Sequence, residues 1–280
     1  MLSILHPKAA RYWPRSLKRV VGSVQGSKNL LTNNGVATLS GNQSYVTLDF
    51  GIEIGGLISM NFDSVAPTSG VALSFTESPM FINPLASDDS SMSAINNTYD
   101  GVENLPTPLV AGFWTQPASR LRGGFRFLTY CFHLNLSGFH FQRVFGYFFA
   151  SDPVFHDKDF LTKIWYAGAY TLQTNTVPLH TGRQIPFVPS PGWQNDATLG
   201  VAGPIIVDGA KRDRAVWPGD MGVAVPTQFV STNDLLPTKN ALSTMFAAID
   251  PKTGALPESG PSTQSDRKRY LPCLDTYWSV

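Results

Sequence analysis

The chain has 280 residues, a net charge of +1, 42% hydrophobic and 12% aromatic residues, and only 15% charged residues. That length suits one large domain or two modest ones with a substantial core, and so low a charge content points to a surface rich in Ser, Thr, Asn and Gly. No basic excess points to nucleic acid, no acidic tail to a solvating segment, and no stretch approaches the ~18–20 apolar residues of a membrane span.

Residues 1–35 open on "MLSILHPKAARYWPRSLKRVV" and are expected to be irregular. They lack the apolar run of roughly 7–15 residues and the small-residue cleavage site of a secretory signal. They read as a chain entered mid-gene. Residues 36–152 read as an antiparallel β-sandwich. "YVTLDFG" alternates Val46, Leu48 and Phe50 with smaller or polar neighbours, and "GGLISMNFD", "GVALSFTES", "GGFRFLTYCFHLNLS" and "FHFQRVFGYFF" follow as aromatic and β-branched runs between turn residues. Within this region residues 83–108 form a polar interruption, expected to be a surface loop because it has little to bury. His133 and His140 read as strand residues rather than metal ligands, since no third ligand is in reach. Cys131 and Cys273 are too far apart in sequence for a disulfide framework and read as two buried thiols, with a disulfide as the alternative.

Near "ASDPVFHDKDF" the hydrophobic period moves from two towards 3.6, which sets a boundary around 152. In "DKDFLTKIWYAGAYTLQTNT" a helix is predicted whose apolar face is Phe160, Leu161, Ile164, Trp165, Gly168 and Leu172, with Trp165 in the core. A loop-rich passage, "PLHTGRQIPFVPSPGWQNDATLG", follows. It offers His180 and Arg183 as candidates for a pocket mouth, and Trp193, Asn195 and Asp196 as an aromatic platform with polar hands. "DMGVAVPTQFV" and "LPTKNALSTMFAAID" read as further helices, with Pro226 limiting or kinking the first.

Between these helical passages lies "DGAKRDRAVWPGD", residues 208–220, with three carboxylates and three cations in a chain otherwise poor in charge. A charge run is commonly a solvated turn with weak local ion pairs. This one follows the apolar "GPIIVDG", contains Trp217, and stands at the entrance to a helix, where loops carry sites. Carboxylates accept bidentate hydrogen bonds from sugar hydroxyls, an aromatic face packs on the C–H side of a pyranose, and an Arg fixes carboxylate geometry. The three carboxylates are Asp208, Asp213 and Asp220.

"DGAKRDRAVWPGD" resembles the active-site signature of fungal α-L-rhamnosidases of glycoside hydrolase family 78, and "FQRVFGYFFASD" with "KIWYAGAYTLQTNT" is similar to the family's junction between β-sandwich and catalytic domain. The resemblance implies a β-sandwich followed by the first helices of an (α/α)6 barrel over 153–280, inverting removal of terminal α-L-rhamnose, extracellular action, no metal or organic cofactor, and a rhamnosylated glycoside as the partner. In the commoner form of the signature, D-x-x-x-R-D-E-R-x-x-W-x-G-D, the Glu is the general acid. Here Asp208, Arg212, Asp213, Trp217 and Gly219-Asp220 match, but no Glu follows Asp213 and the motif is one residue shorter. The acid is therefore reassigned to Asp213, with Asp208 as runner-up. Asp208, Arg212 and Asp220 would bind rhamnose hydroxyls, and Trp217 and Trp193 would line the pocket. The family's base lies further along than residue 280, and Glu258 reads as a loop residue, so residues 1–280 alone are expected to show no turnover. Two other readings stand beside this one: a non-catalytic carbohydrate-binding sandwich using exposed aromatics such as Trp114, and a truncated product that does not fold stably.

Overall fold

A computed structural model describes residues 8–32, 35–66, 69–87, 102–133, 139–150, 160–182, 196–209 and 214–261, with backbone only at 8–11, 133 and 139–150. They fall into two compact units, a sheet unit over Lys8–Phe149 and a helical unit over Ala150–Pro186 and Asn195–Val280.

The sheet unit is built on one long strand. β1 (Lys8–Tyr12) and β2 (Ser16–Gln25) lead into β3 (Ala37–Gly55), followed by β4 (Leu57–Ser64), β5 (Gly70–Thr76), β6 (Glu103–Asn104), β7 (Gly112–Thr115), β8 (Gly124–His133) and β9 (Phe139–Ala150). The strands run in the order β6-β5-β8-β3-β9-β4-β7, with β1 on β9 and β2 on β3. β3 divides its pairing. Its first residues, Ala37–Leu39, face β9, and Tyr45–Gly55 face β8, both antiparallel. Two arms therefore leave β3 on different partners.

The alternation of Val46, Leu48 and Phe50 puts all three in the core, as the sequence predicts. They are joined by Ile58, Met60 and Phe62 from β4, by Val71, Leu73 and Phe75 from β5, and by Phe125, Leu128, Tyr130 and Phe132 from β8. β4 and β5 belong to opposite arms yet share this one cluster, so the sheet is folded over it. Phe125 meets Phe50 and Phe75 edge-on, at 5.8 and 5.1 Å between ring centroids. Such edge-to-face pairs add to the gain from area alone.

Three expectations for this unit are corrected. Residues 16–25 form a strand rather than an irregular segment. β2 hid because its register against β3 breaks twice, between Leu17 and Arg19 and between Val21 and Ser23, and Val20 and Val21 remain exposed. At the second break Gly22 has φ +80°, and a Cβ there would lie 2.9 Å from the Ser44 Cα, so no other residue fits without moving backbone. The polar interruption is likewise no simple surface loop. Val102, Glu103 and Leu105 are buried and β6 pairs with β5. Trp114 is no exposed platform either, because its side chain packs against the core cluster.

The buried Glu103 has a structural use. Gln116 Nε2 donates to Glu103 Oε2 at 2.6 Å and to the Arg120 carbonyl at 2.7 Å. The Gln116 N–H donates to the Ile58 carbonyl, and the Ile58 N–H donates back to Gln116 Oε1. Glu103 stands on one end strand of the sheet, and Gln116 directly follows the strand at the other end. The pair latches the two arms together across the fold. Cys131 is a buried free thiol, pushed up to about 11 by that burial; Cys273 lies outside the described residues.

The helical unit contains α1 (Phe160–Thr174), a two-stranded ribbon of β10 (Thr176–Val177) and β11 (Ile205–Ile206), α2 (Pro218–Ser231) and α3 (Leu236–Ala247). α1 packs on α2, α2 on α3, and α3 on β11. Pro218 occupies the first helical position of α2, where its missing N–H costs nothing, and the helix continues through Pro226. The face predicted for α1 is inverted. Phe160, Leu161, Ile164, Trp165 and Gly168 are exposed, and only Leu172 of that set is buried. The inward face runs through Thr162, Tyr166, Ala169, Leu172 and Gln173, which also recur at helical spacing. Trp165 instead stands edge-on to the neighbouring Tyr166 ring at 4.9 Å. No described helix is long and apolar enough to cross a membrane.

Candidate functional site

The apolar stretch "PIIV" emerges as β11, and the chain then enters a loop whose base is closed at Asp208. The Asp208 N–H donates to the Ala215 carbonyl at 3.0 Å, and the Ala215 N–H donates to Asp208 Oδ1, also at 3.0 Å. A third tie comes from the end of α1, where Asn175 Nδ2 donates to the Asp208 carbonyl at 3.2 Å and the Asn175 carbonyl accepts from the Val207 N–H. The carboxylate of Asp208, half-buried, is thus part of the loop's closure as well as a candidate ligand.

Arg214 overturns the picture of a solvated charge run at its own position. It is fully buried, and Nη1 donates to the Thr181 carbonyl at 2.7 Å. Thr181 is itself buried and donates through Oγ1 to the Pro178 carbonyl, while the adjacent Gly182 exchanges two backbone hydrogen bonds with Ala197. Arg214 has φ +29°, a backbone state that residues with a Cβ adopt at a cost. A strained residue held by a buried guanidinium bond fixes the direction in which the loop rejoins the fold. Nothing in the sequence marks it, since an Arg among charges ordinarily reads as surface.

Trp217 caps α2 in an extended conformation, half-buried, and its Nε1 is buried with no hydrogen-bond partner among the described residues. Asp220 is exposed in the first turn of α2, where negative charge is favoured by the helix dipole. Asp208, Trp217 and Asp220 are therefore ordered around one loop base and one helix start. Arg212, Asp213 and Trp193 lie outside the described residues, as do Arg183, Asn195 and His156. His180 is exposed, with Nδ1 at 3.1 Å from Thr198 Oγ1, and Asp196 is exposed.

One further element reaches the site. The Gly260 N–H donates to the Val216 carbonyl at 2.7 Å, and a Cβ on Gly260 would lie 3.1 Å from that of Val216. The segment carrying Glu258, with Ser259 buried, is so tied to the residue before Trp217. Its sequence, a Pro- and Gly-bounded loop, gave no hint of this long-range contact.

No family model matches the chain and no curated protein matches it by sequence. Among solved structures the fold is similar to a rhamnosidase from Klebsiella oxytoca with rhamnose bound, at TM-score 0.56 and 14% identity, over 90% of this chain and 46% of that one. It is also similar to a family 78 rhamnosidase of Bacillus sp. GL1, at TM-score 0.50 and 14% identity, over 87% of this chain and 20% of that one. The chain thus spans less than half the length of either protein. What the likeness defines is a fold: a mostly β-sheet unit with a few helices, of the kind found in family 78 rhamnosidases.

Proposed function

We propose that the chain carries the sugar-binding and acid-bearing part of an inverting α-L-rhamnosidase, with 153–280 corresponding to the first helices of an (α/α)6 barrel. The observation that supports this most is the closure at Asp208. It ties Asp208 to Ala215, two residues before Trp217, and so brings the two ends of the charged run together beside the first turn of α2. Asp208 Oδ1 already accepts the Ala215 N–H, which suits an ionised clamp on sugar hydroxyls better than a proton donor. Asp213 is the acid in this reading. Its proton passes to the glycosidic oxygen as the bond to the anomeric carbon breaks. Water then attacks the opposite face and loses a proton to a second carboxylate, roughly 6.5–9.5 Å from the first in inverting enzymes. Arg212 and Asp220 hold hydroxyls, and Trp217 and Trp193 line the pocket.

The test separates binding from chemistry. L-rhamnose titrated calorimetrically into the purified chain is expected to bind, and Asp220→Ala to weaken it about tenfold, the loss of one charged hydrogen bond. Asp213→Asn is expected to leave sugar binding in place and to remove hydrolysis of an aryl α-L-rhamnoside by any longer form that turns over. A chain that binds no L-rhamnose refutes the assignment.

A further inference from the structure

Among the buried polar atoms of the helical unit, Gln173 Oε1 on α1 and Trp217 Nε1 at the start of α2 have no hydrogen-bond partner among the described residues. A buried acceptor and a buried donor left unpaired both cost stability, and such groups persist where a ligand or water completes them. Each is joined to Asp208 through a short path. Gln173 is two residues from Asn175, which bonds to Asp208 and Val207, and Trp217 is two residues from Ala215, which bonds to Asp208 twice. α1 and α2 also pack against each other. Gln173 lies on the inward face of α1, one turn beyond buried Ala169 and beside buried Leu172, although a glutamine there has no apolar reason to be inward.

We infer that Gln173 is a ligand-binding residue, its Oε1 accepting from one hydroxyl of a monosaccharide while Trp217 Nε1 donates to another. This rests on the sugar-binding reading of the Asp208 loop and extends it in two ways. It adds a residue from outside the charged run, and it gives Trp217 a polar role besides its ring face. A hydroxyl both donates and accepts, so a vicinal diol matches one acceptor and one donor, whereas an apolar ligand matches neither.

A single substitution at Gln173 is expected to gain stability and lose binding. Gln173→Leu removes the unpaired acceptor at similar volume. It is expected to raise the melting temperature of the sugar-free protein by about 2–4 °C and to weaken sugar binding about tenfold or more. Gln173→Met, more flexible, is the second variant should Leu pack poorly. Titration uses L-rhamnose, L-mannose, L-fucose and D-galactose. If L-rhamnose binds the wild type and both variants equally, or if both variants melt lower, the inference is overturned while the rhamnoside reading stands. If another of the four sugars binds and the variants weaken it, the inference stands and the rhamnoside reading falls. If none binds the wild type, both fall.

Discussion

The two units are stabilised by different means. In the sheet unit, Phe50, Phe62, Phe75, Phe125, Phe127, Tyr130 and Phe132 are all fully buried, and one apolar cluster draws on both arms of the sheet. Each unit fully buries one arginine, Arg122 in the sheet unit and Arg214 in the helical unit, but among the described residues of the helical unit no fully buried aromatic ring accompanies it, while Phe160, Leu161, Val223, Phe229, Val230 and Phe246 are exposed. Its loops are held by side-chain ties to backbone: Asn175 to Asp208, Arg214 to Thr181, Asn240 to the Pro204 carbonyl, and the Val201 N–H to Thr244 Oγ1. Burial of apolar area is non-directional and tolerant, whereas a hydrogen bond fixes one geometry. A scaffold is well made by the first means and a site by the second.

The contrast breaks most visibly at Phe125. Removing its ring leaves a cavity between Phe50 and Phe75, and Phe125→Ala is expected to cost about 3–5 kcal/mol. Hydrogen exchange resolved by peptide should show the loss of protection in β3, β5 and β8 and none in α2 or α3. Equal loss in both units would mean that the two unfold as one.

Next in size is a polar group where the apolar logic would put none. Burial of Glu103 raises its carboxyl to about 8, against the lowering pull of the Gln116 hydrogen bond and of Arg120. Below about pH 4.5 the carboxyl is protonated in folded and unfolded chains alike, and it then contributes no pH dependence. Between about pH 4.5 and 8 the unfolded chain releases the proton and the folded one keeps it, so stability falls as pH rises through that window. The total loss is on the order of 5 kcal/mol. Glu103→Gln keeps the size and an acceptor for Gln116 but cannot ionise. Its melting temperature should match that of the wild type at pH 4.5 and exceed it clearly at pH 8. Parallel pH profiles for the two proteins would show that Glu103 does not titrate in this range.

These two positions also mark what could be read from the chain alone. Val46, Leu48 and Phe50 announce their strand because they recur at every second position and enter one apolar cluster, although Thr47 and Asp49 between them are buried as well. Glu103 sits in a run of Ser, Asn and Asp, and only the return of that run to β5 buries it. β2 was hidden by two bulges, and α1 showed its period but not its direction, since periodicity identifies a face without saying where the neighbours are. Of the candidate residues offered by the charged run, Asp208 lies at the described loop base and Trp217 and Asp220 at the start of α2. The run could not reveal that Arg214 turns inward to the Thr181 carbonyl, nor that the segment around Glu258 is tied to Val216, because those placements depend on contacts made across the fold.

Within the helical unit the same comparison predicts sensitivity to single hydrogen bonds. Arg214→Ala leaves the Thr181 carbonyl unsatisfied in a buried setting and keeps a Cβ at φ +29°. It is expected to cost about 1.5–3 kcal/mol, read as faster exchange in 176–181 and 205–208. Arg214→Gly loses the same bond but removes the backbone strain, and should recover about 1 kcal/mol of that.

The smallest effect tests whether ties of this kind matter where nothing is buried. α3 begins after Leu235, which offers no side-chain cap, and the Leu236 N–H is instead met by Asp234 Oδ1 at 3.0 Å. Asp234→Ala should cost about 0.5–1 kcal/mol, the usual worth of an N-terminal cap, and Asp234→Asn, which keeps the acceptor, should cost less. If Ala and Asn are equally harmful, the charge near the helix start rather than the hydrogen bond is what counts, and raising the salt concentration should then narrow the gap to wild type. If neither has an effect, the exposed start of α3 is satisfied by solvent. Directional ties would then matter in this unit only where they are buried, as at Arg214.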